Sequence, residues 1–145
     1  MPGYHGGLLR SEIATMEISG ADRAAAAVNG AGVDMAGWDG VAFQAALGAF
    51  TGAGTFDMRV VESENSNFSG AVNVSGAAIV QQANTGPNVI VTIDVYRPTN
   101  RYVRAVGTVA VNNVVYGVTA IRYRAQGRTP VDLPNNSQYV IVRAN

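Results

Sequence analysis

From residue 88 onward apolar side chains return at every second position, and that period limits what the chain can become. Val89, Val91, Ile93 and Val95 fall on one side of an extended backbone, with Ile90, Thr92, Asp94 and Tyr96 on the other. A strand turns successive side chains to opposite faces, whereas a helix needs apolar residues three and four apart. The same alternation runs upstream through Val41, Phe43, Ala45 and Leu47, and again through Phe56, Met58 and Val60. Residues 12–19 read as a first strand and 138–143 as a last one, with 77–82 a short apolar stretch between. The Ala-rich segment 24–28 permits one helical turn before Asn29-Gly30 stops it. Turns fall at 51–54 and 84–88, at Pro130 and at Pro134, and residues 62–70 read as a polar, solvated loop. Many short strands between Gly, Asn and Pro turns imply an all-β chain, a single antiparallel β-sandwich or jelly-roll-like barrel.

Two β-rich runs, 102–111 and 114–124, flank Asn112-Asn113. Asn tolerates the left-handed backbone region, so the pair suits a two-residue type I′ hairpin turn. That turn would set Val111 beside Val114, Val109 beside Tyr116, Gly107 beside Val118 and Ala105 beside Ala120, an apolar face expected in the core. The second face, with that of 88–96, carries Ile90, Tyr96, Tyr102, Arg104, Val106, Ile121 and Tyr123. A face left in water is usually more polar, and Tyr and Arg are enriched where interfaces bind hardest. This face is therefore expected either to close the sandwich or to meet a neighbour.

Composition narrows the function classes. Charged residues are 14% of 145, against a usual share of about 25%, and the net charge is zero. Binding driven by nucleic-acid phosphates wants a basic excess, so a nucleic-acid partner is not expected. All ten basic residues are Arg, the cation best suited to stacked and bidentate contacts. With no Cys there is neither a disulfide nor a thiolate metal site. No apolar run approaches the roughly 18 residues of a membrane span, and residues 1–10 lack the apolar core of a signal peptide. A protein made and used in a cytoplasm, without a membrane, is the expectation.

Residue types that could carry chemistry are sparse. A Ser–His pair needs a positioned base, and the only His, His5, stands among Gly3, Gly6 and Gly7. Glu62 and Glu64 lie two apart and would share a face of a strand, the pattern of a glycosidase pair; a solvated loop cap is the stronger reading. Gly48, Gly52 and Gly54 are followed by no helix and no Lys, so a phosphate-cradling loop is unsupported. Trp38, in a Gly-rich turn, either stacks on a sugar ring or covers one end of the core. Neither catalysis nor a cofactor nor a metal is expected.

Two segments carry a resemblance. Residues 33–43, VDMAGWDGVAF, are similar to an "(I/V)DMAG(Y/W)DGVxF" element, and residues 94–104, DVYRPTNRYVR, to a "DVYRPxxRYVR" element. Residues 113–123, NVVYGVTAIRY, follow, then Arg128-Thr129-Pro130-Val131. This order resembles a family of small structural proteins encoded among the head genes of tailed bacteriophages, over roughly residues 33–131. The resemblance implies a virion structural protein, foremost a capsid decoration (cement) protein that binds the assembled head and braces capsomer junctions. Its implied partners are the major capsid protein and further copies of itself on the shell, and its place is the capsid surface. A neck or tail-associated head-completion protein and a virion carbohydrate-binding module are the alternatives.

The residues of the second element fit a scaffold. Pro98 presets φ for a turn, Asp94 is placed to pair with Arg97 or Arg101 across it, and Tyr96 and Tyr102 leave it on the less apolar faces. Residues 1–11 read as a flexible arm ahead of one β-domain, 12–145. Tyr4, Leu8 and Leu9 offer apolar anchors on a Gly-rich backbone that orders only against a partner. The candidate interface is thus Tyr4, Leu8, Leu9, Ile90, Tyr96, Arg97, Arg101, Tyr102, Arg104, Ile121 and Tyr123.

Overall fold

The computed structural model describes residues 12–83, 88–124 and 139–143, the last of these as backbone. Eleven strands lie in two sheets, without a helix among the described residues: β1 (Glu12–Arg23), β2 (Ala26–Asn29), β3 (Val33–Asp34), β4 (Gly40–Phe50), β5 (Thr55–Ser63), β6 (Val72–Ala78), β7 (Gln82–Ala83), β8 (Val89–Tyr96), β9 (Tyr102–Ala110), β10 (Val114–Tyr123) and β11 (Tyr139–Arg143). One sheet has the order β1-β10-β4-β8-β11 and the other β2-β9-β5-β6, with β3 on β9 and β7 on β5. All pairings are antiparallel except β11 beside β8, which is parallel. The sheets pack face to face, so the all-β, sandwich-like reading holds.

The period-two residues are the core. Val41, Phe43, Ala45 and Leu47 of β4 face Phe56, Met58 and Val60 of β5 and Val103, Ala105 and Val109 of β9; Val91, Ile93 and Val95 of β8 and Val114, Tyr116, Val118 and Ala120 of β10 complete the layer. Phe56 and Tyr116 meet with ring centroids 4.6 Å apart. Burying such side chains stabilises by about 1.5–3 kcal/mol each before chain entropy is counted.

Three expectations fail, each for a local reason. The Ala-rich stretch is no helical turn: Ala26–Asn29 are β2, bonded along β9 from Val109 to Val106. The hairpin at Asn112-Asn113 does not form, because β9 belongs to one sheet and β10 to the other. A type I′ turn needs positive φ at both central residues, yet the left-handed residue here is Val111, at φ 69°. Asn112 N–H donates to Ala110 O at 2.9 Å, closing a γ-turn at Val111. The chain thus crosses between layers, and residues expected side by side face each other across the core: a Cβ on Gly107 would lie 2.9 Å from the Tyr116 ring.

Third, Glu62 is no solvated loop residue. It is 6% exposed, and its carboxylate accepts Thr99 N–H at 3.0 Å and Asn100 N–H at 3.1 Å. The loop behind it carries Phe68, which folds over the outer face of β5 and β9 onto Val61 and Val106.

Candidate functional site

The two family-like segments lie about 60 residues apart in sequence and meet at one end of the sandwich. Residues 35–39 join β3 to β4, and residues 97–101 join β8 to β9. Asp34 begins the junction, its carboxylate accepting Ala36 N–H at 2.9 Å in an Asx turn. Arg101 then donates to both Asp34 oxygens, from Nε and from Nη2, each at 2.9 Å. Met35 N–H donates to Arg101 O, and Arg97 N–H to Asp39 O at 2.7 Å. With Glu62 holding Thr99 and Asn100 from beneath, both turns are clamped.

The hydrogen bonds from Arg101 hold the Asp34 carboxyl down, at about 2, and the same pairing raises the guanidinium of Arg101. Both side chains are about half exposed, so water screens much of this pairing and its main product is fixed geometry.

Between the two turns is an open cleft of about 450 Å³, lined by Met35, Trp38, Glu64, Arg97, Pro98 and Asn100 among others. Trp38 packs its ring against the main core. Arg122 and Arg124 lie over that ring at 5.4 and 5.2 Å, and donate to Asp34 O and Gly37 O. A sugar would have to displace them to stack there. Arg97 is exposed, in the left-handed region at φ 53°, with its guanidinium over Tyr96 at 5.2 Å. Holding a non-glycine residue in that region costs energy.

Asp94 is not the corner clamp expected of it. It is buried and accepts Tyr123 O–H at 2.6 Å, while Arg101 bonds Asp34. The Tyr123 ring crosses β4 at Gly40, where a Cβ would lie 2.3 Å from it; only glycine leaves that path open.

The expected interface residues do not form one face. Ile90, Tyr96, Ile121 and Tyr123 stand on the outer side of the five-stranded sheet. Tyr102, Arg104 and Val106 stand on the outer side of the other. Only a hairpin between β9 and β10 would group them, and without it they part. Val106 is buried under Phe68, and Arg104 lies 4.3 Å over the Phe68 ring. Arg97 and Arg101 are at the clamped corner, with Tyr96 and Tyr102 beside them. Tyr4, Leu8 and Leu9, and with them the arm at 1–11, lie outside the described residues.

One functional group has no counterpart in the sequence reading. Glu17 bulges out of β1 between Met16 and Ile18 and turns into the interior, 5% exposed. Its carboxylate accepts Gly32 N–H at 3.1 and 3.0 Å and Ala105 N–H at 3.0 Å. Burial pushes its pKa up to about 7, against the opposing pull of those two N–H groups and of Arg104. It ties the edge of one sheet to β9 of the other. The nearest signal in the sequence is a Glu inside an apolar alternation, followed by Gly30 and Gly32; a Cβ on Gly30 would lie 2.1 Å from the carboxylate.

No protein-family model and no curated protein matches the chain. Among solved structures it is similar to PBSX exported protein XepA, with a TM-score of 0.55 and 22% identity over 85% of this chain. The chain spans about 40% of that protein's length, and the likeness is one of fold.

Proposed function

We propose that this protein is a structural component of a bacteriophage virion, a decoration protein that binds the outside of the assembled head and braces capsomer junctions. The observation that carries the reading is the clamped corner. Trp38 and the exposed Arg97 are held on turns fixed by the Asp34–Arg101 pair and the Glu62 carboxylate, with Tyr96 and Tyr102 flanking the corner at the ends of β8 and β9. Rigid aromatic and Arg side chains lose little entropy on contact, and such residues anchor protein interfaces. Both segments that resemble phage head proteins converge there. The proposed partner is the major capsid protein, and neither catalysis nor a cofactor belongs to this role.

Electron cryomicroscopy of the source particle tests the reading. A copy number on the scale of the shell's own subunits, with the Arg97 corner against the capsid, is the expected result; a single ring at the neck would replace decoration by head completion. The structural neighbour is an exported protein, which favours a second reading: a secreted protein that is not part of the particle. Recovery of the chain only in the particle-free fraction of a lysate would establish that alternative.

A further inference from the structure

The outer face of the five-stranded sheet holds a surface that the clamped corner does not use. Registers across β1, β10, β4 and β8 arrange it in rows: Gly117, Ala46 and Ile90; then Met16, Thr119 and Gln44; then Ala14, Ile121 and Ala42. Val115 lies against Gly48 beyond the first row. None of these side chains is charged. Met16 is 64% exposed, Ile90 50% and Val115 37%. Glu12 stands beyond the last row, opposite Tyr123, while Asp22 pairs with Val115 at the near edge of the patch, its carboxylate accepting Asn113 Nδ2–H at 3.3 Å. Thr92 and Asp94, on the same side of β8, are buried, so the open part runs from β1 to Ile90.

We infer that this face pairs with the same face of a second copy of the chain. The inference does not depend on the virion reading. The rows from Gly117 to Ile121 are uncharged and gain nothing from a charged partner, and the one carboxylate at the edge, Asp22 on β1, does not meet its own copy when β1 of one chain lies over β8 of the other. Its relief also suits a two-fold axis lying along the strands. That operation sets β1 of one copy over β8 of the other, with Met16 one row away from Ile90, so the two largest protrusions pass beside each other over small residues. At about 4.8 Å between strands and 3.3 Å per residue, the patch covers roughly 300–400 Å² per copy. A standard interface buries about 800 Å² on each side. The pair is accordingly weak and concentration-dependent in solution, and strengthens where copies are held close together.

Sedimentation of the full chain from micromolar to millimolar concentration tests this. The expected result is a reversible monomer–dimer equilibrium, weakened by about tenfold or more in Met16→Lys and Ile90→Lys, and unchanged in Val80→Lys, a 70% exposed residue away from the patch. Because the chain has no Cys, oxidative crosslinking gives a second readout that needs no weakened variant. Met16→Cys mixed with Ile90→Cys should form a linked pair faster than either alone. A chain that stays monomeric to millimolar concentration overturns the inference, as does association unaffected by both Lys variants or equal crosslinking in all three mixtures. Met16→Lys and Ile90→Lys should leave particle binding by the Arg97 corner intact at saturating protein, and Arg97→Ala should leave dimerisation intact, so the two proposals fail separately.

Discussion

On the six-stranded sheet the outward positions of β5 and β9 include Asp57, Arg59, Arg104 and Thr108, and the apolar pair among them, Val61 and Val106, lies under Phe68. Arg59 is further bonded to Asn73, and Asp57 to Gln81. On the five-stranded sheet the equivalent positions in the middle rows from β1 to the start of β8 are Ala, Gly, Thr, Gln, Met and Ile, with Asp22 beside Val115 and Glu12 beside Tyr123 at the two ends. The low charge of the chain is therefore not spread evenly. One sheet is finished within the molecule, by charges and by a loop that covers its apolar spot. The other keeps its carboxylates at the row ends and at the buried Asp94, and its middle rows from β1 to Ile90 are uncharged and open. A patch of roughly 300–400 Å² is the size of the largest apolar patch on many monomers, a patch that is often functional, so the bare sheet is the face on which the inferred self-association is to be tested.

Stripping the finished face should have the largest effect. Phe68→Ala uncovers Val61 and Val106 and removes the ring beneath the Arg104 guanidinium. Phe→Ala at a buried site costs about 3–5 kcal/mol, and urea denaturation should show a loss near the lower bound, since Phe68 sits on a loop. A loss under about 1 kcal/mol would mean that the six-stranded sheet needs its cover no more than its neighbour does.

Glu17 links the two sheets directly, and it makes stability depend on pH. Its folded pKa, about 7, lies above its ordinary value of 4.5. The folded state therefore holds the proton more tightly than the unfolded chain. That contribution is fully present below about pH 4.5 and is lost as the pH rises through 7. It amounts to up to about 3 kcal/mol. Asp34 has the opposite sign: its depressed pKa, about 2 against 3.8, favours the fold above pH 3.8 and is lost as the pH falls through 2. Stability should thus peak near pH 4–5 and decline toward pH 8. Denaturation of Glu17→Gln should show a flat profile between pH 5 and 8; an unchanged slope would assign the decline to another group.

Much of this architecture is legible in the sequence. The alternation in 41–47, 56–60 and 89–95 marks the strands and names their buried side, because a period of two admits no other regular element. It does not say which strands are neighbours. Val109 and Tyr116, or Gly107 and Val118, point inward whether their strands lie side by side or in opposite layers, so the choice falls to the Asn112-Asn113 pair, which points the wrong way. The cleft is half legible: both of its segments stand out, but their meeting depends on Asp34 finding Arg101. Glu17 is hidden, since a bulge shifts the alternation by one residue and makes a buried carboxylate read as an outward one.

The crossing between the layers yields a smaller and opposite effect. Val111 is a β-branched residue at φ 69°, exposed to water, so nothing is gained from its side chain to offset the strain. Val111→Gly relieves strain of about 1–3 kcal/mol and adds roughly 0.5–1 kcal/mol of unfolded-state entropy to be overcome. The net expectation is a gain of about 1 kcal/mol, read as a higher urea midpoint with an unchanged slope. A destabilised Gly variant would show that the turn is held by contacts of the Val side chain.

The smallest effect belongs to the bare face, and its smallness is the point. Met16→Lys and Ile90→Lys place a charge where the side chain already stands more than a third in water. Exposed substitutions clear of caps, networks and strained turns usually stay within about 0.5 kcal/mol. The two sites lie on β1 and β8, with β10 and β4 between, about 14 Å apart at ordinary strand spacing. That exceeds the screening length of roughly 8–10 Å in physiological salt, so the double variant should be no less stable than the sum of the singles. The contrast with Phe68→Ala is then several kcal/mol for covering one face and almost nothing for charging the other. If instead each Lys costs more than about 1 kcal/mol in a dilute, monomeric sample, the five-stranded sheet is covered from within the chain, and the two faces are finished alike.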